Sequence, residues 1–151
     1  MSTFFAALLV AHVGFGLIGV MASFRVTFLL LSKKFEAYSL KRDSLIAFSS
    51  YIISWFTGGW YYWKYYGTEV KPKIVGGDFS WAHLIVMEAK EHVFLFLPFA
   101  TFCLALLLWL GADTFEKDHV LRKSSVFLSV CITFVAVVIT LSGILITGGA
   151  R

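Results

Sequence analysis

The sequence predicts an all-α fold: an integral-membrane four-helix up-down bundle, one domain covering residues 1–151. Three observations predict it. Of the 151 residues, 59% are hydrophobic and only 15% charged, where a soluble domain carries about a quarter charged. The apolar residues gather into four segments, each able to cross the roughly 30 Å hydrocarbon core as a helix. None of the four shows the strict polar–apolar alternation of a barrel strand, and the short connections make sequential neighbours antiparallel.

The first helix, about residues 3–32, is "TFFAALLVAHVGFGLIGVMASFRVTFLLL". Its start lacks the basic residues and cleavage site of a signal peptide and its apolar run is too long for one, so it is expected to stay as a span. The second, about 43–66, contains "SLIAFSSYIISWFTGGWYYW" and ends in Trp60, Tyr61, Tyr62, Trp63, Tyr65 and Tyr66. That is where an interfacial aromatic belt belongs. The third, about 80–112, is longer than a bilayer requires. Val93 to Leu110 alone nearly crosses the apolar layer at about 1.5 Å per residue, so Trp81 to Glu91 extends toward water and His92 lies near the hydrocarbon boundary. Pro98 is expected to kink this helix. The fourth, about 118–147, closes the bundle. Cys103 and Cys131 sit inside apolar runs with no CxxC, and read as buried thiols.

The formal net charge is +4. The basic residues lie between apolar segments, as topology signals rather than a nucleic-acid patch, and no nucleic-acid motif is present. Lys33, Lys34, Lys41 and Arg42 follow the first helix; Lys117, Arg122 and Lys123 follow the third. The middle connection has Lys64, Lys71 and Lys73, and the chain ends are nearly free of positive charge. The positive-inside rule then places both termini outside, in a cytoplasmic (inner) membrane if the source is bacterial.

Depth singles out two histidines. His12 lies about 20 residues, or about 30 Å, from the basic end of the first helix, which is the level of His92 on the third. Two imidazoles on facing helices make the usual membrane haem b site, so His12 and His92 are expected as axial, metal-binding ligands. Below His12, Gly16, Gly19, Ser23 and Thr27 share its face. Small residues there admit either a neighbouring helix or a flat macrocycle. Glu88 shares a face with His92 and is expected to orient it or accept a proton, with Glu91 as a second acceptor. His83 and Lys90 are further candidates near the same surface; His119, in the charged connection, is given no ligand role. Arg25 is expected either to snorkel or to pair with a haem propionate or lipid phosphate.

The stretch "LLVAHVGFGLIGVMASFRVTFLL" resembles the first helix of small four-helix membrane proteins of the copper-resistance-D and membrane protoporphyrinogen-oxidase type. The matching positions are His12, Gly16, Gly19, Trp81 and Lys90. The resemblance implies haem b at His12; Glu88, Glu91 and His92 depart from the pattern. The reading that results is a membrane b-type cytochrome, or a haem-bearing subunit of a quinol-linked electron-transfer complex. Its expected partners are the bilayer, other membrane subunits or a second copy, an external electron carrier and a quinone. The alternatives are a cofactor-free accessory subunit of a respiratory or transport assembly, and a non-haem metal site of His12, Glu88 and His92.

Overall fold

The computed structural model describes residues 1–32, 36–115 and 117–149. They are helical almost throughout, with no strand among them. The helices are α1 (Thr3–Leu31), α2 (Ala37–Tyr61), α3 (Lys71–Val75), α4 (Glu88–Gly111) and α5 (His119–Gly149). A π-helical stretch, Tyr62–Val70, joins α2 to α3 without a break, and a second, Ala82–Met87, leads into α4. Three of the four long rods are long and apolar enough to cross a membrane: Thr3–Leu31, Ala82–Thr114 and His119–Gly148. The second is less apolar because its inward face carries Asp43, Ser44, Ser50 and Ser54.

The second rod differs most from expectation. Helix was expected over 43–66 and runs from Ala37 to Val75. Pro72 falls where the π-helix gives way to the short α3, and the rod continues for only one turn beyond it. The run stops at Gly76 and Gly77, whose N–H groups close on Pro72 and Ile74 carbonyls. The middle connection is therefore mostly helix.

The rods form a ring in the order α1, α2, α4, α5, each packing on two neighbours. Antiparallel pairing follows from the contacts. His12 meets Ser54 and Arg25 meets Asp43; Gly111 meets Leu121 and Gly143 meets Lys90. Both chain termini thus share one end with the two π-helical stretches.

The interior is unlike that of a soluble bundle. Leucines and alanines fill part of it, with Tyr51 and Phe115 wholly buried. The rest is small hydroxyls: Ser23, Ser50, Ser54, Thr101, Ser125 and Ser129 are buried. Several hydrogen-bond between helices: Thr27 Oγ1 reaches Ser129 Oγ at 2.6 Å and Thr133 Oγ1 at 2.9 Å, and Ser23 Oγ meets the Tyr51 hydroxyl at 3.1 Å. Thr101 bonds within its own helix, and Ser125 Oγ has no partner among the described residues. The large apolar side chains face outward, among them Met21, Phe24, Phe28, Phe96, Phe99 and Phe134. Cys103 lies on this outward surface rather than in the core, and Cys131 is half-buried.

Candidate functional site

The two π-helical stretches meet at the end that carries the termini. In a π-helix each N–H bonds five residues back, so residues five apart lie over one another. This brings the Glu88 carboxylate to His83, with Oε1 3.6 Å from Nε2. His83 is completely buried, and its Nδ1 lies 3.1 Å from the Tyr66 hydroxyl. Tyr66 stacks on Tyr62, ring centroids 5.2 Å apart at 22°, and the Tyr62 hydroxyl faces Glu91. Burial, and then its neighbours Tyr62, Glu91 and Glu88, push the Tyr66 hydroxyl up to about 12. It keeps its proton at neutral pH and remains a donor.

Two atoms of this cluster, His83 Nε2 and Glu91 Oε1, are buried with no hydrogen-bond partner among the described residues. Each such orphan costs on the order of 1–3 kcal/mol. Folded proteins keep few of them, and a redox, catalytic or hydration role is the usual reason.

Deeper in the bundle stand Lys90 and His12. Lys90 follows the inward face of α4, where Phe94, Leu97, Thr101, Leu104 and Leu108 continue at helical spacing. Gly143 of α5 leaves it room: a Cβ there would stand 3.7 Å from Nζ. His12 is clamped to α2. Its Nδ1 is 2.8 Å from the Ser54 carbonyl, and the Ser54 hydroxyl donates to the His12 carbonyl at 2.9 Å. A carbonyl only accepts, so Nδ1 carries the proton and Nε2 of the neutral ring is a free base. Gly58 is the seat of the ring; a Cβ at 58 would fall 2.3 Å from Nδ1. Phe94 meets the same ring edge-on, centroids 6.2 Å apart.

The structure does not bring His12 and His92 together. His92 is exposed, and its Nδ1 donates to the Glu88 carbonyl one turn back, 2.6 Å away. It is two residues from both Lys90 and Phe94, which face inward, and two residues turn an α-helix by about 200°. Equal depth puts two residues at one level of a bundle and leaves the direction in which each points undetermined. The Glu88 carboxylate correspondingly serves His83 rather than His92. Gly16 and Gly19 admit α2, not a macrocycle: a Cβ at 19 would lie 2.5 Å from the Tyr51 ring, and one at 16 would lie 3.4 Å from Ser54 Oγ. Arg25 ion-pairs with Asp43 at 3.1 Å. His119 is exposed. The expected belt is divided: Trp60 and Trp63 face outward, while Tyr66 is buried in the cluster with Tyr62 beside it.

The residues therefore do not fit a haem held between His12 and His92. Among the described residues no three of His, Cys, Asp and Glu gather closely enough to hold a metal ion, so the trio His12, Glu88 and His92 is not assembled either. Two open apolar grooves mark the outer surface, of about 450 Å³ between α1 and α2 and about 240 Å³ between α2 and α4. The smaller includes Trp55, Phe99 and Phe102, and neither is lined by a residue of the polar cluster. No protein-family model, no curated protein and no solved structure matches the chain, and nothing in those comparisons links it to the copper-resistance-D or protoporphyrinogen-oxidase proteins.

Proposed function

We propose that the chain is an integral-membrane protein that takes up and passes protons at the end carrying its termini, as a subunit of an electron-transfer or transport assembly. The outward apolar surface and hydroxyl-bonded interior suit a bilayer, where interhelical hydrogen bonds and small residues hold helices together. Ionisable side chains inside such a bundle are costly and mark proton or ion paths. One observation carries the reading: Glu88, His83, Tyr66, Tyr62 and Glu91 follow one another as titratable groups, from a half-exposed carboxylate to one with a buried, unpartnered oxygen.

The chemistry of a relay follows from the two ring nitrogens of His83. Glu88 delivers a proton toward Nε2, and Nδ1 releases one toward Tyr66, the imidazole changing tautomer in the process. Tyr66 and Tyr62 touch by ring stacking rather than through their hydroxyls, so in this reading a water carries the proton from one hydroxyl to the other, and Glu91 receives it beside Lys90. The experiment is proton flux into liposomes holding the purified protein, driven by a potassium diffusion potential and read with an entrapped pH dye. His83→Gln and Glu91→Gln are each expected to cut flux at least tenfold. Wild-type flux equal to that of empty vesicles, or flux unchanged in both variants, overturns the reading.

A second reading keeps a b-type haem with His12 as its one histidine ligand. It is favoured by the Nδ1 hydrogen bond to Ser54, which fixes the tautomer and raises the basicity of the other nitrogen, as partners of ligating histidines do. A reduced-minus-oxidised spectrum decides it: a b-type α band that vanishes in His12→Ala supports it, and a colourless protein sinks it.

A further inference from the structure

At the end opposite the termini, α1 and α2 carry an arrangement that proton transfer does not use. Asp43 is buried on α2, and two arginines share it. Arg25 Nε lies 3.1 Å from Oδ2, while Arg42 Nε and Nη2 each lie 2.9 Å from Oδ1. Two guanidiniums against one carboxylate leave one positive charge. The arginine side chains are 61% and 44% exposed; among the described residues Arg42 Nη1 and both terminal nitrogens of Arg25 meet no acceptor. Glu36, the next carboxylate along the chain, is exposed, accepts from Ser39 at 3.3 Å and adds only the weakest of the attractions on Arg42.

Arg42 also closes one end of the larger groove. Beyond it the walls are apolar except for Ser49 and Ser50: Phe15 and Ile18 from α1, Leu45, Ile46 and Ile53 from α2. From Arg42 to Ile53 the groove climbs α2 by about 16 Å. One leaflet of hydrocarbon is about 15 Å deep. The groove is thus one acyl chain long, with a cationic fork at the level of the headgroups.

We propose that this groove binds an anionic phospholipid, its phosphate on Arg42 and Arg25 and one acyl chain between α1 and α2. The proposal rests on the chain lying in a bilayer, and is independent of proton transfer. A phosphodiester carries the one charge the fork lacks and offers two oxygens to planar N–H pairs. Basic sites between helices are a general means of holding anionic headgroups. A zwitterionic lipid brings the same chains with no net charge, so it satisfies the groove and not the fork.

The test is lipid retention, read by native mass spectrometry of protein released from nanodiscs. The nanodiscs contain equal amounts of dioleoylphosphatidylglycerol and dioleoylphosphatidylcholine. The expected result is one retained phosphatidylglycerol, favoured at least tenfold over phosphatidylcholine. Arg42→Gln leaves Asp43 paired with Arg25 and should bring the ratio to parity. Ser49→Trp plugs the groove with the charges intact and should remove the retained lipid of either kind. Circular dichroism checks that each variant is folded, and either variant alone suffices. Parity in the wild type, or a preference unchanged by a folded variant, overturns the proposal and leaves the membrane reading standing. Failure of the chain to enter phosphatidylcholine nanodiscs at all overturns both.

Discussion

Gly58 and Gly59 are adjacent on α2, share one intrinsic helix propensity, and should respond to alanine in opposite directions. Nothing lies within 4 Å of a Cβ added at Gly59. Gly59→Ala should therefore show the plain propensity gain, about 1 kcal/mol of stability. A Cβ at Gly58 would stand 2.3 Å from His12 Nδ1, 2.6 Å from Cε1 and 3.0 Å from Cγ. That is about 1 Å inside ordinary contact, and it falls on the near side of the ring, which cannot swing clear while Ser54 holds it. Displacing the ring breaks the 2.8 Å bond to the Ser54 carbonyl, worth about 1 kcal/mol, and overpacking adds about 1–3 kcal/mol. Against the propensity gain, Gly58→Ala should lose about 1–3 kcal/mol net, and the two variants should differ by about 2–4 kcal/mol. The assay is reversible unfolding in mixed micelles, with circular dichroism as the readout. A cycle with His12→Ala isolates the cause: once the ring is gone, Gly58→Ala should recover the gain seen at Gly59. Equal stabilities for the two alanine variants, or a Gly58→Ala penalty that survives removal of the ring, would refute the placement of His12.

Tyr66 makes a pH prediction. A hydroxyl raised to about 12 when folded and near 10 when unfolded leaves the native state holding more protons between those values. The hydroxyl's contribution to stability should be constant below pH 10 and be lost from there to about pH 12; Tyr66→Phe should lessen the alkaline fall by that share and remove one tyrosinate from the last step of an alkaline absorbance titration. Asp43 and Asp113 both pair with cations, but Asp43 is buried, while Asp113, with Lys41, is two-thirds exposed. Asp113→Asn should cost under about 1 kcal/mol. Asp43→Asn should cost about 1–3 kcal/mol, less than for a fully buried pair because its arginines can turn to water; equal costs in an unfolding titration would contradict the burial. Replacing Lys90 and Glu91 together by Met and Leu exchanges interior charge for apolar volume, so stability should hold or rise by about 1–4 kcal/mol while proton flux is lost. A variant that unfolds but conducts would reverse the argument.

Much of the fold is legible in the sequence because lipid-length helices announce themselves by composition. α1 and α5 begin and end within a few residues of their apolar runs. The second rod was legible only in its middle. Its start at Ala37 is polar, and its continuation past Trp63 is a π-helix, whose five-residue spacing no α-helical pattern detects. The same geometry hid the site. At 100° per residue, His83 and Glu88 fall on well-separated faces; in the Ala82–Met87 stretch they are neighbours. Tyr62 and Tyr66 were concealed in another way, inside a run of aromatics that composition assigns wholesale to the interface. Their four-residue spacing was the available sign that two of the six share a face. The small stripe of α1 left helix contact and macrocycle open, and only the Tyr51 ring over Gly19 resolves it in favour of the helix.

The two ends of the bundle treat their charges differently, and the contrast bears on where function lies. At the end opposite the termini, Asp43 has two guanidiniums, Lys41 has Asp113, and Arg122 caps the exposed end of α1 through the Leu30 and Ser32 carbonyls. At the other end His83 Nε2 and Glu91 Oε1 are buried without a hydrogen-bond partner among the described residues; Asp43 Oδ2, also without a hydrogen bond, at least lies 3.1 Å from the Arg25 guanidinium. Asp43 and Asp113, at the end opposite the termini, thus each have a cation against them. The open valences of His83 and Glu91 agree with the proposed proton path, because a proton or the water that carries it needs a group with a lone pair or an N–H to spare, and buried ionisable groups between helices are costly to keep without a use.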